Sequence, residues 1–114
     1  MSELLNKQKR FTELLPKLIL KVHELGLFCT IGDAYRDPRA FGPLGVGKVY
    51  GNARSAHKMR LAIDLNLFDG DEMLTKTEDH RRLGEYWESL DPLCRWGGRF
   101  NDGNHYSLEH MGVK

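Results

Sequence analysis

Two short segments of this chain carry histidine and aspartate at spacings that suit a metal ion. In Ser55-Ala56-His57-Lys58-Met59-Arg60-Leu61-Ala62-Ile63-Asp64, a histidine stands just ahead of an alternating run and an aspartate lies within it. From Leu61 to Phe68, Leu61, Ile63, Leu65 and Leu67 fall on one side and Ala62, Asp64 and Asn66 on the other, which is the period of a strand. A carboxylate in such a strand is costly to bury unless it is paired or bound to metal. A salt bridge to Arg36 or Arg60 would serve as well as an ion. The second segment, Asp102-Gly103-Asn104-His105, places a carboxylate three residues before a histidine across a turn. Asp-Gly-Asn is ordinary turn chemistry, yet in this setting His105 could ligate while Asp102 holds a water.

Together the segments supply what a catalytic zinc site requires: three ligands of the His and carboxylate type, and an open position. They also supply a further acid that can take a proton from water. Zinc brings the pKa of water towards ~7 and polarises a carbonyl, so a carboxylate suffices as the base.

The same residues carry a resemblance. Ser55-x-His57, Ala62-x-Asp64, Trp96-Gly97-Gly98 and Asp102-x-x-His105, in this order and spacing, resemble the VanY-like D-alanyl-D-alanine carboxypeptidase family. That family includes phage L-alanyl-D-glutamate endopeptidases and shares its zinc fold with the Hedgehog signalling domain. The likeness runs from the first helix to about Leu108. It implies one catalytic Zn2+ held by His57, Asp64 and His105, with Asp102 as general base. It implies Arg36 as electrophilic helper or holder of a substrate carboxylate, with Ser55 near the substrate. A peptidoglycan stem peptide is the implied substrate. Aspartate rather than glutamate at the base position resembles the phage endolysin branch. The alternatives are a D-alanyl-D-alanine carboxypeptidase and a zinc-stabilised binding module without turnover. Two positions depart from the family pattern: Arg60 stands where glycine is common, and Arg99 where an acidic or small polar residue is common. Trp96, beside two glycines, suits either a wall of the substrate cleft or the core.

The elements that must position these residues are legible in part. Phe11, Leu14, Leu18, Val22 and Leu25 recur at helical spacing, Gly26 supplies a stop, and Pro16 predicts a kink or a later start. Leu27 to Asp33 has the make-up of a buried strand. Asp37 to Asn52, dense in glycine and proline, is predicted to be a long loop that shapes substrate choice. Asp69-Gly70 makes a turn. A second helix is expected after an N-cap at Thr77, with Leu83, Tyr86, Trp87 and Leu90 inward. Asp91-Pro92 closes it, and His105 to Leu108 forms a last strand. The expected fold is α+β in one domain, 1–114, with a small antiparallel sheet and packed helices. His110 is expected to face solvent, and His80 and His23 to serve near helix ends.

Composition bounds the rest. A formal net charge of +1 with scattered Lys and Arg gives no support for nucleic-acid binding, and no apolar run is long enough for a membrane span. The two cysteines, Cys29 and Cys94, lack metal or redox spacing and read as free, mostly buried thiols. The charged N-terminal segment does not resemble a signal peptide, so synthesis in a cytoplasm is expected. The resemblance to phage endolysins implies that this is a host cytoplasm and that the protein acts at the cell wall after release, and a monomer is expected.

Overall fold

In the computed structural model, which describes residues 2–33 and 56–114, helix α1 (Glu3–Glu24) comes first. The Ser2 hydroxyl accepts a hydrogen bond from Leu5 N–H and starts the helix. At the other end Gly26 adopts φ 78°, and the N–H groups of Gly26 and Leu27 bond back to the His23 and Val22 carbonyls, closing it as a Schellman motif. The helix runs on through Pro16, so the start lies at Ser2 and not at the proline. Pro16 is on the exposed side, where water can serve the carbonyl left without a donor. Arg36, Ser55 and the loop from Asp37 to Asn52 lie outside the described residues.

Five strands form one antiparallel sheet: β1 (Phe28–Asp33), β2 (Ala62–Asp69), β3 (Glu72–Leu74), β4 (Cys94–Trp96) and β5 (His105–Leu108). The order is β1-β2-β5-β4, with β3 paired to the end of β2 beyond β5. Register places Ile63 beside Tyr106 and Tyr106 beside Trp96, and directly paired residues share a face. On that face Leu65, Leu67 and Leu108 join them. Phe11, Leu14, Leu18 and Val22 of α1, with Leu83 and Trp87 of helix α2 (Arg81–Leu90), complete the core. Trp87 packs edge-on against Phe11 and Tyr106, and its indole N–H donates to the Ser107 carbonyl at 3.0 Å. An α+β fold with a small antiparallel sheet is what the sequence led us to expect. No helix among the described residues is long and apolar enough to cross a membrane.

Several local expectations are corrected. The strand expected to be buried, β1, has Phe28 and Ile31 exposed at 57% and 65%. It pairs only with β2 among the described strands and so forms a sheet edge. β3 was not anticipated, because three residues at a hairpin tip are too few for a periodic signal. Thr77 does not cap a helix: a 3-10 turn (Thr77–His80) precedes α2, and the Asp79 carboxylate accepts the Lys76 N–H at 3.0 Å. His110 is buried, its Nδ1 3.1 Å from Lys7 Nζ, and not solvent-facing. His80 is buried as well, 2.7 Å from the Tyr106 hydroxyl, and burial lowers its pKa.

Arg60 explains one of the departures noted above. Its φ of 59° lies in the left-handed region, and Arg60 and Leu61 donate back to His57 and Ala56 carbonyls, closing the 3-10 turn Ala56–Met59 just before β2. Glycine adopts this conformation without strain, whereas a residue with a Cβ does so at a cost of about 1 kcal/mol. Arg60→Gly is therefore expected to raise stability by about 0.5–1 kcal/mol, read as a higher urea midpoint with an unchanged m-value.

Both cysteines are free thiols, and burial pushes Cys94 up to about 12 while Cys29 is only partly buried. At pH 8, iodoacetamide should modify Cys29 in the native protein and Cys94 only after denaturation, as followed by intact-mass spectrometry.

Candidate metal centre

The polar face of the sheet, away from both helices, carries the histidines and aspartate. Asp64 of β2 and His105 of β5 are direct antiparallel partners, so pairing alone sets their side chains next to each other. His57 arrives from the 3-10 turn whose last bonds lead into β2, which fixes its height over the strand.

The donor atoms form a nearly equilateral triangle. His57 Nε2 lies 3.2 Å from Asp64 Oδ1, His105 Nδ1 lies 3.3 Å from the same oxygen, and the two ring nitrogens are 3.2 Å apart. Four ligands at the usual Zn–N and Zn–O distances around a tetrahedral ion stand about 3.3 Å from one another. The site is enclosed: His57 and His105 are 3% and 5% exposed. Asp64 Oδ1 is buried without a well-aligned hydrogen bond, although two ring nitrogens are close. A buried carboxylate oxygen in that state calls for a cation. Among the described residues, the buried polar atoms without a hydrogen-bond partner (Lys58 Nζ, Asp64 Oδ1, His105 Nε2 and Ser107 Oγ) all belong to the segments that build this centre. Such groups concentrate where function, not stability, sets the sequence. Burial alone would raise the Asp64 carboxyl, but the His105 and His57 rings outweigh it and hold the group at about 2. It is thus anionic and ready to ligate without losing a proton. His57, Asp64 and His105 fit Zn2+ in number, type and spacing.

Asp102 stands outside the triangle. Its Oδ2 is 3.9 Å from His105 Nδ1 and its side chain is half exposed, beside the three clustered donor atoms but not one of them. The segment before it determines that position. Gly97 starts the 3-10 turn Gly97–Phe100, and the Gly97 carbonyl accepts the Asp102 N–H at 2.8 Å. A Cβ on Gly97 would come within 2.1 Å of the Asp102 carbonyl oxygen and 2.7 Å of the His105 Cβ, so only glycine lets the Asp102–His105 turn close over it.

Trp96, expected either in a wall of the substrate cleft or in the core, packs in the core. The indole is fully buried in space left by Gly84 and Gly98, where any Cβ would strike its ring. Its N–H donates to the Gly103 carbonyl at 2.7 Å, so the ring holds the Asp102–His105 turn from below. Arg99 lies over the same ring and pairs with Glu88 at 2.8 Å, which gives the second departure from the family pattern a packing role. Among the described residues, an aromatic side chain that borders the centre is Phe100, 47% exposed with its ring 5.8 Å from that of His105. Sequence reasoning passed over Phe100, because a single aromatic in a polar turn has no periodic partner to mark it.

Comparison with known proteins agrees with this geometry. The family model described as D-alanyl-D-alanine carboxypeptidase matches residues 50–108, just over half of the chain, and spans His57, Asp64, His105 and Asp102. No curated protein matches the chain.

Purified protein should hold one equivalent of zinc. His57→Ala should weaken zinc binding by more than about 100-fold, beyond the loss typical of an outer-sphere change, while Asp102→Ala should alter it by less than about tenfold. Competition with a chromophoric chelator measures both. Since the apolar core lies on the other face of the sheet, chelation should lower the melting temperature yet leave the helical circular dichroism intact at 25 °C.

Proposed function

Because this chain belongs to the D-alanyl-D-alanine carboxypeptidase family of zinc peptidases, acting on peptidoglycan-like substrates, we propose that it is a stem-peptide endopeptidase of the phage endolysin type that cuts between L-alanine and D-glutamate. The observation that carries the reading is the half-exposed Asp102 carboxylate at the edge of an otherwise buried ligand triangle. A structural zinc site is normally closed by a fourth protein ligand. Among the described residues no fourth His, Cys, Asp or Glu joins the cluster, and an acid stands beside it instead. Aspartate in that role, where the carboxypeptidases have glutamate, favours the endopeptidase branch.

Bound zinc supplies a Lewis acid that polarises the scissile carbonyl and makes water more acidic. The protein groups do the remainder. Asp102 accepts a proton from the attacking water, a C–O bond forms at the carbonyl carbon, and the C–N bond breaks. Asp102 then passes its proton to the departing amine, and water has been added across the amide. His57 and His105, shielded from solvent, keep the centre dry enough for these charges to act strongly. Phe100 offers an apolar flank to the peptide. In this reading Arg36 stabilises the developing oxyanion and Ser55 contacts the substrate, as the family pattern implies for both. The protein acts as a monomer at the cell wall after release from the host cytoplasm.

Asp102→Ala is expected to keep zinc and lose 10²–10⁴-fold in kcat, roughly the contribution of a general base. Mass spectrometry of digested peptidoglycan should show new L-alanine carboxyl ends and new D-glutamate amino ends. Loss of only a terminal D-alanine would assign the carboxypeptidase reading instead. A zinc-loaded protein that releases no fragment would leave the binding-module alternative standing.

A further inference from the structure

A groove of about 260 Å³ starts at Asp102 and runs away from the ligand triangle, between β3 and the 3-10 turn on one side and residues 101–104 on the other. Asn66, two residues along β2 from Asp64 and on the same face, lies at its inner end. Leu74 gives an apolar wall, Thr75 and Asn104 offer hydrogen bonds, and Lys76 is the cation that lines it. Among the described residues, Lys76 and Asp102 are the fully charged side chains that line the groove. His80, also in the lining, is held towards its neutral form by burial.

The shape of this groove is fixed by the backbone. A Cβ on Gly103 would come within 2.5 Å of the Thr77 Cα, so the two walls are in direct contact at the floor. Lys76 is held from both sides: its N–H donates to the Asp79 carboxylate and its carbonyl accepts the Asp79 N–H, each at 3.0 Å. Its backbone is therefore set before any ligand arrives, and only the side chain remains to be ordered.

We propose that this groove binds the part of the substrate C-terminal to the scissile bond, and that Lys76 pairs with a carboxylate on the first residue there. The inference rests on the peptidase reading given above. Its direction follows from proton transfer. Asp102 hands a proton to the departing amine, so the residue bearing that amine must lie on the Asp102 side of the centre, where this groove opens. Its chemistry follows from the lining. Lys76 among amide and hydroxyl groups, beside an apolar wall, suits a short peptide segment that carries a negative charge. Both D-glutamate linked through its side chain and a terminal D-alanine carry a free α-carboxylate at that position. Lys76 thus selects for charge on the leaving side and contributes to binding, not to the chemical step.

The test uses synthetic stem peptides that differ only in whether the leaving-side α-carboxyl is free or a carboxamide. With the zinc-loaded wild type, amidation should raise KM roughly fivefold, the ratio an exposed ion pair supports, with kcat within about twofold. Lys76→Met should raise KM for the free acid by the same factor and leave the amide unaffected. Lys76→Arg should restore discrimination, and all variants should match the wild type in zinc content and melting temperature. If the wild type cleaves both peptides with equal KM, or if Lys76→Met weakens both alike, the groove assignment is overturned while the peptidase reading stands. If neither peptide is cleaved by the zinc-loaded wild type, both are overturned.

Discussion

The buried carboxylate of Asp64 is the constraint around which the rest is arranged. An anionic oxygen inside a sheet, with no well-aligned hydrogen bond, opposes folding unless a cation or cationic ring stands beside it. The chain answers with two imidazoles at 3.2 and 3.3 Å. Each comes from a different element, so the charge is answered only when the 3-10 turn, β2 and β5 are all in place. The same triangle that settles this electrostatic problem has the dimensions of a zinc site. Stability and chemistry therefore meet in one group.

Support for that triangle comes from the other side of the sheet. The two helices press on the apolar face, and Trp96 passes the effect through to the site by its hydrogen bond to Gly103. Closing the turn over Gly97 then delivers Asp102 and His105 together. Positions close to a metal gain precision when their backbone is immobilised by packing and not by solvent-exposed contacts. Here one indole and one glycine do this for Asp102 and His105.

Much of this was legible in the sequence, for identifiable reasons. The alternation from Leu61 to Leu67 placed Asp64 opposite the core because strand period is strict, and the stripe Phe11, Leu14, Leu18, Val22 gave α1 its buried face. The ligand set required the resemblance, since neither half-site was decisive in isolation. What escaped was whatever depends on who packs against whom. Trp96 left two roles open because nothing in a Trp-Gly-Gly run tells which surface the ring meets, and the answer came from Gly84, a helix away. His80 and His110 looked peripheral because their partners, Tyr106 and Lys7, are 26 and 103 residues distant. Phe28 and Ile31 read as buried because composition identifies a strand but not its place in the order of strands.

Strand β2 divides its labour by parity. Ile63, Leu65 and Leu67 pack into the core, and Asp64 and Asn66 lie on the opposite face. One inserted or deleted residue inside this stretch would swap the two sets, sending leucines to the metal and the aspartate into the hydrocarbon interior. No compensating substitution elsewhere could repair both faults together. Changes in chain length must therefore accumulate in the connections, while the central strand keeps its count.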